Sequence, residues 1–404
     1  MVFNKLDKTY IFRYLATNMF GGVFMRRLFG VVTFALFALF IISSTGFSSK
    51  AYAKEIKIGV VWPMTGPIAS FGQMNWKGAQ IAESMVPKTK DGTTLKLILL
   101  DNKGDKVETA NAVSRLITQT HVKAIIGAVA SGNTLAAAPI AERYHIPLLS
   151  SSATNPLVTK GKKYVSRVCF IDPFQGSVAA KYAINNLHAK TAAVVVDIAQ
   201  DYSVGLAKFF VQSFTKMGGK IVARTFVQTG DQDFSAQVSA VKAANPDMIY
   251  MPTYYQEASL FTRQAKQFGL NQVIMGGDGL ESDSLLKVGG KAANGITFTT
   301  HYDPKATSGK VGKEFLKRFK AKYKINPDAM AALGADAYLV MVDAINRAGG
   351  YKATSEQINK AIRSTKDFHG VTGILTIVNG DAIKSAVVRK VKNGKFVYVT
   401  TVNP

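Results

Sequence analysis

The stretch EIKIGVVWPMTGPIASFG, residues 55–72, is the part of this chain that decides its fold. Its first half, Ile56–Trp62, is a short and mostly β-branched apolar run, which is typical of a strand buried on both faces of a parallel sheet. A proline, a threonine and a glycine follow, and then an amphipathic segment at Met74–Met85. A buried strand, a turn and a helix in this order predict the first unit of a doubly wound α/β domain.

The same alternation of strand and helix continues in two blocks. The first block adds strands and a helix at Leu95–Leu100, Val107–Thr120, Ala124–Gly127 and Pro147–Leu149. The second block has four strands and two helices, at Ala192–Val196, Val204–Met217, Ile221–Phe226, Met248–Met251, Ala258–Phe268 and Val273–Met275. The last third departs from this rhythm, with helices and then strands at Gly312–Lys324, Met330–Ala348, Glu356–Ser364, Gly373–Val378, Ala386–Arg389 and Phe396–Val399.

Two such blocks predict an α/β protein of two doubly wound lobes. No linker rich in glycine, serine or proline separates them. If the last third completes both lobes, the chain crosses between them more than once, a common geometry for hinge closure on a ligand. We predict lobe 1 from residues 54–172 and 302–380, and lobe 2 from residues 173–301 and 381–404.

The N-terminus has the order of regions that is typical of a secretory signal peptide. Arg26 and Arg27 precede an apolar run, Leu28–Ile42, and a stretch of small residues ends at Ala53. The run is shorter than the ~20 residues of a membrane-spanning helix. We therefore expect residues 1–53 to comprise a signal peptide and an upstream extension, and the protein to be periplasmic. No cysteine lies near the cleavage point, so no lipid anchor is expected, and the true start, Met1 or Met25, stays open.

The chain is strongly basic, with a formal net charge of +24 and about +19 after the first 53 residues. A nucleic-acid function is one explanation of such a charge. However, the lysines are scattered and no helix-turn-helix or zinc-finger spacing is present. We interpret the charge as a solvated basic surface. The single cysteine, Cys169, excludes an intrachain disulfide framework and a cysteine-rich zinc site, and we expect it to be a buried apolar residue.

The motifs of the common enzyme classes are absent from the sequence. It contains no G-x-S-x-G elbow, no P-loop, no G-x-G-x-x-G and no H-E-x-x-H. The five histidines are dispersed and none is expected next to a strand end; the nearest, His301, is expected on a crossing between the lobes. We therefore expect neither an enzyme nor a metal or cofactor.

The residues that follow the predicted strands suit a small zwitterion, because ligands of open α/β sheets bind beyond the carboxyl ends of the strands. The hydroxyl groups of Ser131 and Thr154 can hold a carboxylate, and Asp278 can accept hydrogen bonds from an ammonium. Aromatic side chains that can cover apolar atoms of the ligand are Trp62, Phe71, Tyr202 and Tyr254. In an extended stretch only one of the pair Tyr254 and Tyr255 can face the cleft.

Each of these residues also has a purely structural interpretation. Ser131 and Thr154 are residue types that favour helix N-caps, and Asp278 suits a turn in a glycine-rich loop. Trp62 and Phe71 suit the packing of a core.

Several motifs in register resemble one family. They are Thr65-Gly66-Pro67, Phe71-Gly72, Ser131-Gly132-Asn133-Thr134, Ser150-Ser151-Ser152-Ala153-Thr154-Asn155-Pro156, Gln175-Gly176, Asp278-Gly279 and Pro327-Asp328-Ala329. In this order they closely resemble the branched-chain amino acid (leucine/isoleucine/valine) binding proteins of ABC importers. The resemblance spans essentially all of the chain after residue 53. It implies the type I periplasmic-binding fold, in which three crossing segments join two lobes.

The resemblance also implies roles for individual residues. Ser131 and Thr154 match the residues that bind the α-carboxylate, and Ser152 matches a position that contributes backbone contacts. Asp278 matches the residue that binds the α-ammonium, where the leucine-binding members have a longer glutamate. The remaining matches are Tyr202, which lines the site, and Phe71, which stacks beside the ligand. The loop Asp101–Asp105 departs from the family, because it lacks the usual paired aspartates and proline.

The leading hypothesis is a monomeric extracytoplasmic solute-binding component of an ABC importer. It captures an α-amino acid by hinge closure and delivers it to a permease and an ATPase. An aromatic acid, a short organic acid or an amide is the alternative ligand in the same fold. A sensor that presents its ligand to a membrane receptor stays open as a further class.

Overall fold

The computed structural model describes residues 54–307 and 309–404. The predicted signal peptide and upstream extension, residues 1–53, lie outside the described residues. The chain folds around one parallel and one mixed sheet, and helices cover the faces of both.

The first sheet has five parallel strands in the order β2–β1–β3–β4–β5. Its strands are β1 (Glu55–Trp62), β2 (Thr94–Asp101), β3 (Ala124–Gly127), β4 (Leu148–Ser150) and β5 (Val165–Arg167). The helices between them are α1 (Ala69–Met85), α2 (Lys106–Thr118) and α3 (Ser131–Tyr144).

Strand β1 pairs with β2 along one edge and with β3 along the other, and helices α1 and α2 pack on its faces. In register, Ile58 pairs with Leu97 and with Ala124. The side chains from Val60 to Trp62 are fully buried, which explains why the run is apolar at every position rather than at alternate ones.

The second sheet has seven strands in the order β15–β14–β10–β9–β8–β6–β7. Its parallel strands are β6 (Thr191–Asp197), β7 (Lys220–Val227), β8 (Met248–Tyr250), β9 (Val273–Gly276) and β10 (Thr297–Thr300), and antiparallel β14 (Ala386–Lys392) and β15 (Lys395–Val402) extend it. Its helices are α4 (Asp172–Asn185), α5 (Asp201–Lys216), α6 (Ser235–Ala244), α7 (Tyr255–Gln267) and α8 (Asp283–Gly289).

Residues 310–383 return to the first sheet. They form α9 (Lys310–Tyr323), α10 (Ala329–Arg347), α11 (Ser355–Arg363) and a small antiparallel sheet of β11 (Phe368–Gly370), β12 (Gly373–Val378) and β13 (Asp381–Ile383). Helix α10 packs directly along α1. It is long and apolar enough to cross a membrane, but 89% of its most apolar window is buried inside the fold, so it is a core helix.

Helices α1 and α10 touch backbone to backbone. A Cβ added at Gly78 would lie 1.8 Å from the carbonyl oxygen of Ala331, and one added at Gly334 would lie 2.2 Å from that of Asn75. Only glycine fits at these two positions, and the close crossing joins the last third of the chain to its first helix.

The predicted α/β class with two doubly wound units is confirmed. The chain passes between the two sheets after β5, after β10 and after β13, which makes three crossing segments in the described chain. The exact lobe boundaries stay a prediction. The pairing of Val378 with Asp381 joins β12 to β13 across the boundary predicted after residue 380.

Candidate functional site

A small cavity lies where the carboxyl ends of strands from both sheets face each other. It is lined by Phe71, Val129, Ala130, Ser131, Ser152, Tyr202, Tyr254, Asp278, Gly279 and Met330. Six of the eight predicted site residues are in this set. The cavity volume is about 10 Å³, room for about one water molecule. A ligand as large as an amino acid therefore requires the two walls to move apart.

The wall from the first sheet carries hydroxyl groups and the start of α3. The residue that caps α3 is Ala130, so Ser131 is the first residue of the helix rather than its N-cap. Its Oγ accepts a hydrogen bond from the N–H of Asn155 at 3.2 Å, and the hydroxyl of Ser152 donates to the carbonyl of Val129 at 3.2 Å. Because no side chain caps α3, the amides of its first turn suit an anionic group.

Two predicted site residues do not line the cavity. Trp62 is fully buried and packs edge to face against Trp76 of α1, with 6.2 Å between the ring centroids, so it belongs to the core. Thr154 is also fully buried, and its carbonyl accepts the N–H of Asp172 at 3.0 Å. In this conformation Thr154 lies behind the wall, and its predicted role with a carboxylate stays a prediction.

Close to Thr154 lies the buried carboxyl group of Asp172, at the start of α4. Burial raises the pKa of Asp172 to about 8, and the charge of Asp278 adds to this shift. Neither carboxyl oxygen of Asp172 has a hydrogen-bond partner within residues 54–307 and 309–404. The protonated form is therefore the form that this environment favours.

The wall from the second sheet carries Asp278, which follows β9 and is 3% exposed. Its Oδ1 accepts a hydrogen bond from Gln175 Nε2 at 2.9 Å, and its Oδ2 lies 3.2 Å from His301 Nε2. The next residue, Gly279, donates its N–H to the hydroxyl oxygen of Tyr202 at 3.1 Å. The cavity-lining residues include no lysine or arginine, so Asp278 gives the cavity a negative charge.

The position of His301 corrects the expectation that no histidine adjoins a strand end. His301 directly follows β10, is 1% exposed, and stacks on Phe170 with 3.8 Å between ring centroids. Burial lowers its pKa, and the hydrogen bond to Asp278 opposes that shift. The contact between His301 and Asp278 was not predicted, because the sequence pattern did not indicate strand β10.

Aromatic rings close the cavity on one side. Tyr202 and Tyr254 are stacked, with 5.3 Å between their centroids and nearly parallel planes. Phe71 packs edge to face against both Tyr254 and Tyr255, and the hydroxyl of Tyr255 donates to the carbonyl of Pro67 at 2.9 Å. Of the two tyrosines, only Tyr254 lines the cavity, but the reason expected for this does not hold. It assumed an extended stretch, whereas Tyr255 is the first residue of α7 and Tyr254 its N-cap.

Polar contacts join the two sides of the cleft outside the cavity. Ser70 of α1 and Ser282 after β9 are 2.9 Å apart through their hydroxyl oxygens. Lys106 Nζ of α2 lies 2.8 Å from Asp201 Oδ2 of α5, and Asn155 Nδ2 donates to the carbonyl of Asp201 at 2.7 Å. The structure is therefore in a closed conformation.

Three residues after Asp278, the chain enters a buried ionic cluster. Glu281 is paired with Arg389 of β14 and accepts hydrogen bonds from the hydroxyl of Thr300 and the N–H of Ala329. Arg389 Nε also lies 2.8 Å from Asp303 Oδ2 on the crossing segment after β10. The cluster ties the loop that carries Asp278 to the second sheet, to a crossing segment and to the start of α10.

Residues 55–395 match the family model described as periplasmic binding protein. A Leu/Ile/Val-binding protein homologue of Brucella melitensis is 32% identical over 337 residues, which cover 83% of this chain and 90% of the relative.

Two solved structures are similar over most of the chain. A leucine-binding protein from Thermotoga maritima is 50% identical with a TM-score of 0.84, and the match covers 86% of this chain and 99% of the other. A branched-chain amino acid transporter substrate-binding protein from Streptococcus pneumoniae, solved with isoleucine, is 33% identical with a TM-score of 0.81, covering 87% and 100%. With its two α/β sheets, three crossing segments and cavity at the facing strand ends, the chain belongs to the branched-chain amino acid binding family of periplasmic binding proteins.

Proposed function

We propose that this protein captures an α-amino acid with a branched aliphatic side chain between its two lobes. The observation that supports this ligand class most directly is the buried carboxylate of Asp278, which has no lysine or arginine beside it in the cavity wall. A buried charge without an opposite charge is costly. The ammonium group of an amino acid would offset that cost, because it donates the stronger, charge-assisted hydrogen bonds to the carboxylate.

The other parts of the wall suit the rest of such a ligand. The hydroxyls of Ser131 and Ser152 and the uncapped amides of α3 are suited to the α-carboxylate. The rings of Phe71, Tyr202 and Tyr254 are suited to an aliphatic side chain, because they cover apolar atoms and exclude water.

Binding requires the lobes to separate and close again, because the cavity of about 10 Å³ is too small for the ligand. We propose that residues 54–172 and 302–380 form one lobe, that 173–301 and 381–404 form the other, and that the three crossings act as the hinge. The family membership supports an extracytoplasmic location. We further propose export by the N-terminal signal peptide without a lipid anchor, a monomeric protein, and delivery to an ABC permease and its ATPase.

The test is isothermal titration of the purified protein with each of the twenty amino acids. We expect leucine, isoleucine or valine to bind with a Kd in the micromolar range or tighter. If no amino acid bound more tightly than about 100 μM, a binding free energy of only about −5.5 kcal/mol, the proposal would be wrong.

The variant that tests the ammonium contact is Asp278→Ala. We expect it to weaken binding of the preferred amino acid about 100-fold or more, because a charge-assisted contact in a closed site is lost. The matched control is Asp231→Asn, which removes a carboxylate that receives only a backbone N–H in the loop after β7. An equal loss in both variants would contradict the assigned role.

A second ligand class, an aromatic or short organic acid, is favoured by one observation. Both carboxylate oxygens of Asp278 already contact protein donors, Gln175 and His301, so the carboxylate keeps hydrogen-bond partners even when the ligand has no amine. An organic acid would be retained or bound more tightly by Asp278→Ala, whereas an amino acid would be lost. We propose no enzymatic activity, and recovery of an unchanged ligand after overnight incubation is the corresponding measurement.

A further inference from the structure

The carboxylate of Asp278 is held by two buried side chains that are far from it in sequence. Gln175 of α4 donates from Nε2 to Oδ1 at 2.9 Å and lies 3.0 Å from the hydroxyl of Thr299. His301 contacts Oδ2 through Nε2 at 3.2 Å. Gln175 is fully buried, and neither Gln175 nor His301 lines the ligand cavity. Both residues contact Asp278, so Asp278 is the route by which they can affect a ligand in this cavity.

The hydrogen-bond pattern fixes the state of the His301 ring. An ionised carboxylate can only accept, so the hydrogen of this bond is on Nε2. Nδ1 has no hydrogen-bond partner in the described part of the chain, so a proton there would be a buried donor without an acceptor. Burial lowers the pKa of His301, while the hydrogen bond to Asp278 and the charge of Asp278 oppose that shift. The ring is thus neutral, and it orients Asp278 without cancelling its charge.

Both donors are fixed by rigid surroundings. The His301 ring stacks on Phe170 with centroids 3.8 Å apart, directly after β10. Gln175 lies in the first turn of α4. Its side chain packs against Gly277, the residue before Asp278, because a Cβ added at Gly277 would lie 2.8 Å from Gln175 Nε2. The carboxylate is therefore oriented before any ligand arrives.

We propose that His301 and Gln175 are positioning residues, which hold the Asp278 carboxylate in the orientation that receives the ammonium group of the ligand. The inference rests on the amino-acid-binding function proposed above. An oriented carboxylate loses less conformational freedom on binding than a free one, so the two donors increase affinity for ligands that carry an ammonium group. They do not increase affinity for the same ligand without its amine.

The experiment compares isoleucine with 3-methylpentanoate, which is isoleucine without its amine, by isothermal titration. His301→Leu should bind isoleucine about 10- to 100-fold more weakly than the wild type, the usual effect of removing a hydrogen bond to a charged group. His301→Gln, whose amide can donate in place of Nε2, should recover most of this loss. Any binding of 3-methylpentanoate should be the same in all three proteins.

Two further variants separate positioning from a structural role. Tyr302→Phe is the matched control, because Tyr302 is the buried neighbour of His301 and does not line the ligand cavity. The Tyr302→Phe protein should bind isoleucine with unchanged affinity. Gln175→Met, which keeps the size of the side chain, should reproduce the selective loss of isoleucine binding. Thermal unfolding of the ligand-free variants identifies any that are not folded.

A double-mutant cycle gives the decisive result. If His301 acts through Asp278, then His301→Leu should cause no further loss of isoleucine affinity in the Asp278→Asn background. An undiminished loss in that background, or unchanged isoleucine binding by His301→Leu alone, would overturn the positioning role. Wild-type protein that binds no amino acid would overturn the proposed function itself, so the two failures are distinguishable.

Discussion

Asp172 is the residue at which burial and charge conflict most directly. It is fully buried behind the ligand cavity, and its pKa of about 8 lies far above the 3.8 of an exposed aspartate. Between these two values the folded protein holds a proton that the unfolded chain releases. The free energy of unfolding therefore falls as the pH rises through this window, by at most about 1.4 kcal/mol per pH unit.

Asp172→Asn removes this titration, so the variant should gain stability relative to the wild type by about 2 to 4 kcal/mol between pH 5 and pH 8. Urea unfolding at the two pH values measures the change. The control is Asp247→Asn: hydrogen bonds from the N–H groups of Thr191 and Lys190 lower the pKa of Asp247, so it titrates below this window. A difference between Asp172→Asn and wild type that does not grow with pH would contradict the prediction.

The residues around Asp278 mark the limit of what the sequence predicts about the site. Asp278, Ser131 and Tyr202 were found because each directly follows a strand or begins a helix after one. The roles of Gln175 and His301 were not predicted. These residues lie 103 and 23 positions from Asp278 along the chain, and their contacts with it depend on how α4 and β10 pack. Trp62 was assigned to the site because it ends β1, but its side chain lies on the face that packs against α1.

At the scale of elements, helices α1 and α10 cross so closely that no space remains for a Cβ at Gly78. Alanine favours a helix over glycine by about 1 kcal/mol, so Gly78→Ala would stabilise an isolated helix. Here the added methyl would lie 1.8 Å from a backbone oxygen of the partner helix, which no side-chain rotation can relieve. Packing therefore outweighs propensity.

We expect Gly78→Ala to lower the free energy of unfolding by about 3 kcal/mol or more. Chemical denaturation measures this loss. Gly309→Ala is the matched control, because its added methyl would meet no atom within 4 Å; its cost should stay below about 1 kcal/mol. Similar losses in the two variants would show that the crossing is not the cause.

Some strands are predicted well by their local sequence, and others are not. Strands β1, β6 and β7 are long β-branched runs and were predicted within one residue at each end. Strand β10, Thr-Phe-Thr-Thr, was missed because it is short and three of its four residues are threonines. These threonines are buried because β9 and β14 pair with β10 on both sides, a property of the topology rather than of the local sequence.

For the whole molecule, the contacts across the cleft predict a change of shape on binding. Ser70 with Ser282, Lys106 with Asp201, and Tyr255 with Pro67 form only when the lobes are closed. The lobes must open to admit a ligand, and the ligand should then stabilise the closed form. We expect the radius of gyration from small-angle X-ray scattering to decrease on addition of the preferred amino acid. Glycerol at equal concentration is the control, and an unchanged radius would argue against a hinge.

The ionic cluster of Glu281, Arg389 and Asp303 adds a consequence for how distant changes reach the site. Only two residues separate Glu281 from Asp278, so the loop that meets the ligand is anchored by the same ion pairs that reach a crossing segment. A ligand that shifts this loop must also shift its anchor. A substitution that repositions the anchor would therefore also change the free energy of ligand binding. Arg389 does not line the cavity, so a change there would alter affinity while leaving the cavity wall intact.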